Sequence, residues 1–429
     1  MTLACPHLAH TLANGLRVAV VPRAELRRAH VAVFVRVGSR FESKRDNGLS
    51  HFLEHMIFRG TDRLRDAHAV NAAFERLGAS LEACTHVDYA VFELDLPRDN
   101  FEAGASLLGE VLAAPRFPSI EVERGIVSEE ILEDLDDDGQ QVNPDNIVRA
   151  ATYGAHPLGM TITGGQRELE RFTVADLERH HARHFGSPSM VVVAAGAVEP
   201  EHARGVLEAA FGGFAATPAP EVEAPAPQRG PIVKHVRDAA SQTDVRVCFR
   251  AFGERDPRMP ALEVLMRVID DGMATRLYRR LCDEGGLCYD TSASYEIFED
   301  DGVLDFSASV RHERTSAIVE RMLAIMGELA DEGPTEEEVR LAVQRHRWDV
   351  ESSLDSAASL AHAVGVSWLF GRLRPFDEQL RRLDDVTRDD VRALAAVLAR
   401  RDRLTVATVG LPPARERRRI DELAQTYRR

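Results

Sequence analysis

Three side chains in one short segment have the types and the spacing that metal-dependent hydrolysis needs. The segment His51-Phe52-Leu53-Glu54-His55 places two imidazoles and a carboxylate at positions i, i+4 and i+3, which share one face of a helix. Two imidazoles one turn apart can bind a single zinc ion, and a carboxylate beside them can take a proton from a water molecule at the metal. The alternative is a helix with two surface histidines and an unrelated glutamate. Apolar residues on both sides of the polar trio argue against it, because half-buried polar groups need partners.

The residues around this trio predict a helix with one buried side. Its N-cap is predicted to be Ser50 or Asn47, since both side chains can accept a hydrogen bond from an amide of the first turn. The apolar surface that buries the turn comes from Phe52, Leu53, Met56, Ile57 and Phe58.

The order of the motif leads to a family resemblance. The glutamate precedes the second histidine, which inverts the more common H-E-x-x-H order. The segment from Gly48 to Thr61 resembles the zinc segment of the pitrilysin and insulinase family of inverzincin metallopeptidases. It is most similar to the branch of mitochondrial processing peptidase and its bacterial relatives. The resemblance implies one zinc ion (Zn2+) per chain, bound by His51, His55 and a third ligand, with Glu54 as general base.

A second helix is predicted to supply the third ligand. The stretch from Pro118 to Asp134 has helical periodicity, acids in its first turn and Ser119 as predicted N-cap. Glu123 and Glu130 both fall inside its apolar arc, where a carboxylate is costly unless it is paired or metal-bound. The resemblance selects the same two residues, Glu130 as the zinc ligand and Glu123 as an acidic residue that supports the site. The predicted apolar arc consists of Ile120, Ile126, Val127 and Ile131.

His180 and His184 form a second pair of histidines at i, i+4 spacing. No third ligand with suitable spacing is evident for them. Arg179 and Arg183 lie beside them, and adjacent cations disfavour a zinc site. We therefore interpret this segment as an exposed helix end that leads into a strand at 190–195.

Composition and charge describe a globular chain with an acidic balance. The 429 residues are 44% hydrophobic and 28% charged, which is enough for two or more domains with large cores. The formal charge of −16 argues against nucleic acid and anionic membranes as partners. The five scattered cysteines favour a reducing compartment over a disulfide framework. No signal-peptide pattern or bilayer-spanning apolar run is visible, so the predicted location is cytoplasmic.

The chain divides into two halves with similar patterns. Residues 216–231 are rich in proline and alanine and predict a semi-rigid linker between domains at 1–215 and 232–429. Each half contains a β-patterned run followed by helix, strand, helix and a proline-started helix. Several strands alternate apolar and polar residues, which indicates antiparallel or mixed sheets with helices on one face. The predicted class is α+β, with two similar domains that each have a mostly antiparallel sheet with helices packed on it. The resemblance implies that these domains face each other across a cleft.

Two further segments resemble parts of the family that hold the substrate. Residues 271–289 resemble a C-terminal signature in which an arginine and a tyrosine form a pair, and Arg276 and Tyr289 match those positions. A guanidinium and a phenol can both donate to peptide carbonyls or to a carboxylate. On spacing alone, Arg276 is better interpreted as a surface helix residue and Tyr289 as a core aromatic, but the resemblance favours a role for both in holding the substrate.

Residues 78–89 resemble the family's active-site edge strand, which can pair with an extended substrate by β-augmentation. Glu82 and Ala83 lie in this strand and are predicted to contact the substrate. Many family members have asparagine at the position of Glu82. An asparagine amide can donate a hydrogen bond to the scissile carbonyl, whereas an ionised glutamate cannot. Either that role has moved in this chain, or its rate and specificity differ.

These observations predict a zinc-dependent endopeptidase that hydrolyses peptides or short unfolded protein segments. Glu54 would be the base, Glu123 would orient a ligand, and the Arg276 segment would hold the substrate. Because the zinc motif and the arginine–tyrosine pair lie in one chain, it could act alone or as a homodimer. The alternatives are a catalytically inactive scaffold subunit and a peptide-binding module of the same fold.

Overall fold

Two β-sheets organise the chain, one in each of two units. A computed structural model describes residues 7–371 and 373–428. Unit 1 contains the described residues of 1–133, 160–223 and 349–378, and unit 2 contains those of 134–159, 224–348 and 379–429. Residues 1–6, which include Cys5 and most of the segment in which no signal pattern was found, lie outside the described residues. The linear boundary at 216–231 stays a prediction.

The strands form a six-stranded sheet in unit 1 and a five-stranded sheet in unit 2 among the described residues. In chain order they are β1 (Leu8–Thr11), β2 (Arg17–Pro22), β3 (Arg28–Val35), β4 (Ser80–Thr85), β5 (Ala90–Pro97), β6 (Met190–Gly196), β7 (Ile232–Val236), β8 (Thr243–Arg250), β9 (Cys288–Ile297), β10 (Gly302–Val310) and β11 (Leu404–Val409).

Helices of varied length connect and cover these strands. They are α1 (Leu49–Ile57), α2 (Ala67–Glu75), α3 (Phe101–Ala113), α4 (Ile120–Glu133), α5 (Pro144–Tyr153), α6 (Gln166–Leu169), α7 (Val174–His184), α8 (Pro200–Phe211), α9 (Met259–Ile269), α10 (Arg276–Tyr278), α11 (Thr315–Asp331), α12 (Glu336–Ser353), α13 (Ala357–Leu369), α14 (Phe376–Asp384), α15 (Arg388–Leu398) and α16 (Ala414–Thr426). Within residues 7–371 and 373–428, no helix has both the length and the apolar character needed to cross a bilayer.

The two sheets repeat the same strand order. Unit 1 has the order β1-β2-β6-β3-β5-β4, and unit 2 has β7-β11-β8-β10-β9. Unit 1 has an additional edge strand, β1, which pairs antiparallel with β2. Apart from that strand, each sheet begins with one parallel pair, β2–β6 or β7–β11, and the next three pairs are antiparallel. The structure therefore confirms the predicted α+β class with two similar domains and mostly antiparallel sheets.

Helices cover both faces of the unit 1 sheet, not one face as the sequence pattern indicated. Helices α3 and α8 contact one face, while α13, from a distant part of the chain, contacts β2, β3 and β6. Phe34 of β3 packs in the core that α13 completes, and consecutive residues of β3 are buried on both faces. This two-sided burial explains why β3 and β6 are continuous apolar runs instead of alternating strands.

Unit 2 receives a helix from the first half of the chain in the same way. Helix α5 contacts β7, β8 and β11, and Asp145 of α5 forms an ion pair with Arg246 of β8 at 3.0 Å. At its other end, the Tyr153 hydroxyl donates to Asp301 at 2.8 Å. Each unit thus contains one helix that sequence order alone would assign to the other half.

Candidate metal centre

Helix α1 places the histidine pair, and its N-terminus differs from the sequence prediction. The N-cap residue is Gly48, which has a left-handed conformation (φ 93°) and no side chain to cap the helix. Ser50 lies inside the first turn. The side-chain amide of Asn47 donates to Glu42 and to the carbonyl of Thr161 and does not cap the helix. The prediction of Ser50 or Asn47 as N-cap is therefore wrong. Glu42, from the preceding loop, accepts hydrogen bonds from the first-turn amides instead.

Three potential ligands meet where α1 packs on α4. The Oε2 atom of Glu130 lies 3.4 Å from Nε2 of His51 and 3.5 Å from Nε2 of His55. One ligand atom from each of these residues lies within 4.8 Å of the other two. The structure thus brings together the three residues that were predicted to bind zinc.

The spacing of these atoms fits a tetrahedral ion better than direct hydrogen bonds. Direct N–H···O bonds have donor–acceptor distances of about 2.7–3.2 Å, which is shorter than the 3.4 and 3.5 Å found here. Two ligand atoms that each lie about 2.0–2.1 Å from a tetrahedral zinc ion are about 3.3 Å apart. Two imidazoles and a carboxylate, with a fourth position left open, form the donor set of a catalytic zinc site.

Burial keeps His51 in the form that binds metal. Desolvation, with a smaller contribution from the charge of His55, lowers the pKa of His51 to about 3. A neutral imidazole has a free lone pair on one nitrogen, which is the form that coordinates a metal ion. The rings of His51 and His55 are 4.7 Å apart between centroids and inclined by 68°.

Glu123 contacts the ring nitrogen of His55 that does not face Glu130. Its Oε1 lies 3.0 Å from Nδ1 of His55, and its Oε2 lies 3.0 Å from Nη1 of Arg59. A hydrogen bond at Nδ1 fixes the tautomer and leaves Nε2 free for a metal. In contrast, Nδ1 of His51 is buried and has no hydrogen-bond partner among the described residues.

The buried side of α4 is narrower than the sequence predicted. Glu123, Val127 and Ile131 are buried, but Ile126 is 46% exposed, so its assignment to the apolar arc is wrong. The buried residues Glu123, Val127 and Ile131 define one narrow side of α4, and at about 100° per residue Ile126 lies outside it. Ser119 precedes the helix with φ 57°, a left-handed conformation rather than the extended one typical of an N-cap.

Glu54 is held by a threonine that the sequence analysis did not identify. The hydroxyl of Thr85, at the end of β4, donates to Oε2 of Glu54 at 2.5 Å. Burial raises the pKa of Glu54, and the hydrogen bond from Thr85 acts in the opposite direction by favouring the carboxylate. Spacing along the chain gave no signal for this contact, because Thr85 and Glu54 belong to different elements.

Strand β4 separates Glu82 from Ala83. It is the last strand of its sheet, and its register pairs Glu82 with Glu93 and Ala83 with Phe92. Because alternate residues of a strand point to opposite faces, Ala83 shares the face of Thr85, towards α1. The exposed Glu82 lies on the other face, with Glu93, which hydrogen-bonds to His362 of α13 at 2.8 Å.

The second histidine pair is buried, so the prediction of an exposed helix end is wrong. His184 is fully buried, and its Nδ1 lies 2.9 Å from the carbonyl oxygen of Arg36. His180 is also buried, and its Nε2 lies 2.9 Å from the hydroxyl of Ser50. These histidines connect α7 to the residue that follows β3 and to the first turn of α1, and their hydrogen bonds explain why these polar residues tolerate burial.

Arg276 and Tyr289 both belong to unit 2. The guanidinium of Arg276 makes two hydrogen bonds to Glu338, with Nε at 2.6 Å from Oε1 and Nη2 at 2.7 Å from Oε2. Tyr289 is 95% exposed, so its interpretation as a core aromatic is wrong. Arg276 therefore has a strong internal partner, while Tyr289 presents its whole ring to solvent.

Comparison with known proteins identifies the family. Residues 17–165 match the family model described as insulinase (peptidase family M16), and residues 171–345 match the one described as peptidase M16 inactive domain. A protein of Mycobacterium leprae named an uncharacterized zinc protease is 30% identical over 393 residues, which are 90% of this chain and 87% of the relative. The chain belongs to the insulinase family of peptidases, M16. This confirms the resemblance inferred from the zinc segment.

Other M16 relatives cover most of the chain as well. The probable mitochondrial-processing peptidase subunit beta of Arabidopsis thaliana is 27% identical over 416 residues, which are 90% of this chain and 75% of the relative. Among solved structures, a protease from Helicobacter pylori matches with a TM-score of 0.87 at 20% identity, over 95% of this chain and 99% of that chain. At this identity the structural match shows the M16 fold alone, and the named relatives support membership of this peptidase family.

Proposed function

We propose that this chain is a zinc-dependent endopeptidase that hydrolyses peptides or short unfolded protein segments. The observation that carries the proposal is the meeting of His51, His55 and Glu130 at distances that suit a tetrahedral ion. The relatives named zinc proteases support the choice of zinc. One ion per chain would be bound by these three side chains.

The chemistry divides between the ion and the side chains beside it. When bound, zinc supplies Lewis acidity, which lowers the pKa of water and polarises a carbonyl group. Glu54 takes a proton from the attacking water and later gives it to the leaving amine nitrogen. Thr85 holds the carboxylate of Glu54 in place through its hydroxyl. Glu123 keeps Nε2 of His55 directed at Glu130 through its contact with Nδ1.

The substrate is an extended peptide, for which β4 offers a template. Its outer edge carries backbone groups that can pair with an incoming strand, and its last residue, Thr85, contacts the general base. Ala83 lies on the same face as Thr85, and its small side chain leaves room for a substrate side chain. Glu82, on the opposite face, takes part through its backbone. Arg276 and Tyr289 are proposed to hold the substrate from unit 2.

The test is hydrolysis of a quenched unstructured peptide by the zinc-loaded chain and by Glu54→Gln. We expect Glu54→Gln to lower kcat by about 10²–10⁴ while one zinc ion per chain is retained. Glu75→Gln, an exposed glutamate at the end of α2, serves as the matched control and keeps full activity. Full activity of Glu54→Gln would remove Glu54 from the mechanism.

The same assay separates the peptidase from its alternatives. An inactive scaffold subunit would bind less than one zinc ion per chain. It would also lack peptide cleavage that is sensitive to a chelator. A peptide-binding module would bind the unlabelled peptide without turnover. Either result would overturn the proposed function.

A further inference from the structure

The N-terminus of α1 is packed so closely that its own N-cap residue can carry no side chain. A Cβ atom on Gly48 would lie 2.5 Å from the carbonyl oxygen of Thr163, and one on Gly164 would lie 2.3 Å from that of Asn47. Both glycines have positive φ, 93° and 74°. The amides at this end of the helix that carries His51, Glu54 and His55 must therefore find their acceptors outside the helix.

Glu42 supplies those acceptors from the loop before the helix. Its Oε2 accepts from the Gly48 amide at 2.8 Å and its Oε1 from the Ser50 amide at 2.7 Å. The Asn47 side chain also donates to Oε2, at 3.2 Å. Burial raises the pKa of Glu42, and the hydrogen bonds from Ser50, Gly48 and Asn47 oppose that rise. A buried group that is surrounded by hydrogen-bond donors is suited to the acceptor-only carboxylate, which the positive end of a helix also favours.

The loop that carries Glu42 is fixed against the end of β4. A Cβ atom on Gly38 would lie 2.4 Å from the carbonyl oxygen of His86, and the Arg40 amide donates to the Val87 carbonyl at 2.8 Å. The buried side chains of Arg40 and Asp88 form an ion pair at 3.7 Å. The residues that follow Thr85 and the residues that precede Glu42 are therefore packed directly against each other.

We infer that Glu42 is a positioning residue of the catalytic centre, which sets the place of α1 relative to β4 and so aligns both the metal ligands and Glu54. At one end of this connection, the Glu42 carboxylate accepts from the amide of Ser50, the residue before His51 in the first turn of α1. The other end is the turn after Thr85, whose hydroxyl holds Glu54. Such supporting contacts tune metal affinity and activity by about 10–100-fold in other metal sites. The inference rests on the proposed zinc peptidase function.

The experiment compares Glu42→Gln with the wild-type chain in metal binding and in hydrolysis. Zinc affinity is measured by competition with a chromophoric chelator, and ligand geometry by the visible absorption of the cobalt(II)-loaded protein. Glu42→Gln keeps the size of the side chain but turns an amide group towards N–H donors. Glu93→Gln is the matched control, because Glu93 is a partly buried carboxylate of unit 1 that hydrogen-bonds to His30 and His362, on other elements.

We expect Glu42→Gln to weaken zinc binding by about 10-fold or more, to alter the cobalt(II) spectrum and to lower kcat. Glu93→Gln should leave metal affinity and spectrum unchanged even if it lowers the unfolding temperature. If Glu42→Gln does not fold, Glu42→Asp, whose shorter carboxylate cannot reach both amides, must show a smaller loss of the same kind.

Wild-type metal affinity and spectrum in the Glu42 variant that folds would overturn the inference. A wild-type chain that binds zinc but cleaves no peptide would instead overturn the proposed function, and the metal readouts would still decide the role of Glu42. A wild-type chain that binds no zinc would overturn both.

Discussion

The imidazole of His55 is held between two carboxylates. Its Nδ1 lies 3.0 Å from Oε1 of Glu123, and its Nε2 lies 3.5 Å from Oε2 of Glu130. The two contacts differ in kind, because the first has hydrogen-bond length and the second has the spacing of two ligands around a common ion. Glu123 itself is anchored by Arg59 at 3.0 Å. The ring therefore has one nitrogen fixed by the protein and the other directed at the centre.

Removal of the Glu123 carboxylate should weaken the metal site without abolishing it. We expect Glu123→Gln to lower zinc affinity by about 10–100-fold, since the amide no longer stabilises the N–H at Nδ1 of His55 as a carboxylate does. Calorimetric titration with zinc measures the change. Glu129→Gln, on the exposed side of the same helix, is the control and should bind zinc as the wild type does. Equal affinities of both variants would exclude the orienting role of Glu123.

Truncation of Tyr289 should affect the substrate and leave the fold intact. The ring is 95% exposed, and exposed substitutions of this kind change the free energy of unfolding by about 0.5 kcal/mol or less. We expect Tyr289→Ala to raise KM several-fold for a peptide substrate at an unchanged unfolding temperature. Trp348→Ala removes another exposed aromatic ring of unit 2 (53% exposed) and serves as control. If KM is the same in all three proteins, Tyr289 does not contact substrate.

The ion pair between Arg276 and Glu338 predicts a dependence of stability on pH. Burial alone would raise the pKa of Glu338, but hydrogen bonds from Arg276 and from the Thr335 amide outweigh it and lower the pKa to about 2. A carboxylate with a lowered native pKa stabilises the fold fully above its unfolded pKa, which is about 4.3. That stabilisation is lost as the pH falls from there towards 2. Between about pH 5 and pH 2.5 the wild type should lose more unfolding free energy than Glu338→Gln.

Urea denaturation at the two pH values measures this difference. Glu337→Gln, one residue earlier and exposed, is the control, because its carboxylate pairs with Arg340 of the same helix and not with Arg276. An equal acid sensitivity of the wild type and Glu338→Gln would contradict the assignment of this ion pair.

A glycine of α13 tests how tightly that helix packs on the unit 1 sheet. A Cβ atom on Gly365 would lie 2.0 Å from the ring of Phe34, whereas one on Gly205 of α8 would meet no atom within 4 Å. Gly365→Ala should lower the free energy of unfolding by about 1–3 kcal/mol through overpacking. Gly205→Ala should raise it by about 0.5–1 kcal/mol, as alanine favours helix. Chemical denaturation measures the free energy of unfolding of both variants. An unchanged value for Gly365→Ala would contradict the close packing of α13 on Phe34.

The sequence predicted those parts of the centre that follow from local periodicity. His51, Glu54 and His55 share a helix face because of their spacing, and Glu123 and Glu130 could be chosen because carboxylates on a buried helix face need partners. The predicted width of the buried face of α4 was wrong. Ile126 is exposed because only the narrow side of α4 with Glu123, Val127 and Ile131 is buried, and the sequence of α4 alone does not show how wide the buried side is.

Contacts between distant segments could not be predicted in the same way. Thr85 lies in a strand and Glu42 in a loop. A threonine or a glutamate in such a segment does not indicate which distant residue it will hydrogen-bond to. The exchange of α5 and α13 between the units has the same origin. Amphipathic helices carry no information about which of two similar sheets they cover, so the pattern indicated helices on one face where the structure has them on both.

The most direct test of the account is a zinc titration of the wild type, Glu130→Ala and Glu129→Ala, followed by calorimetry. The two substitutions are adjacent on one helix and remove the same charge, but only Glu130 lies near His51 and His55. We predict one tight equivalent of zinc in the wild type and in Glu129→Ala, and an affinity lower by about 100-fold in Glu130→Ala. The same affinity in all three proteins would contradict the assignment of this centre as a zinc site.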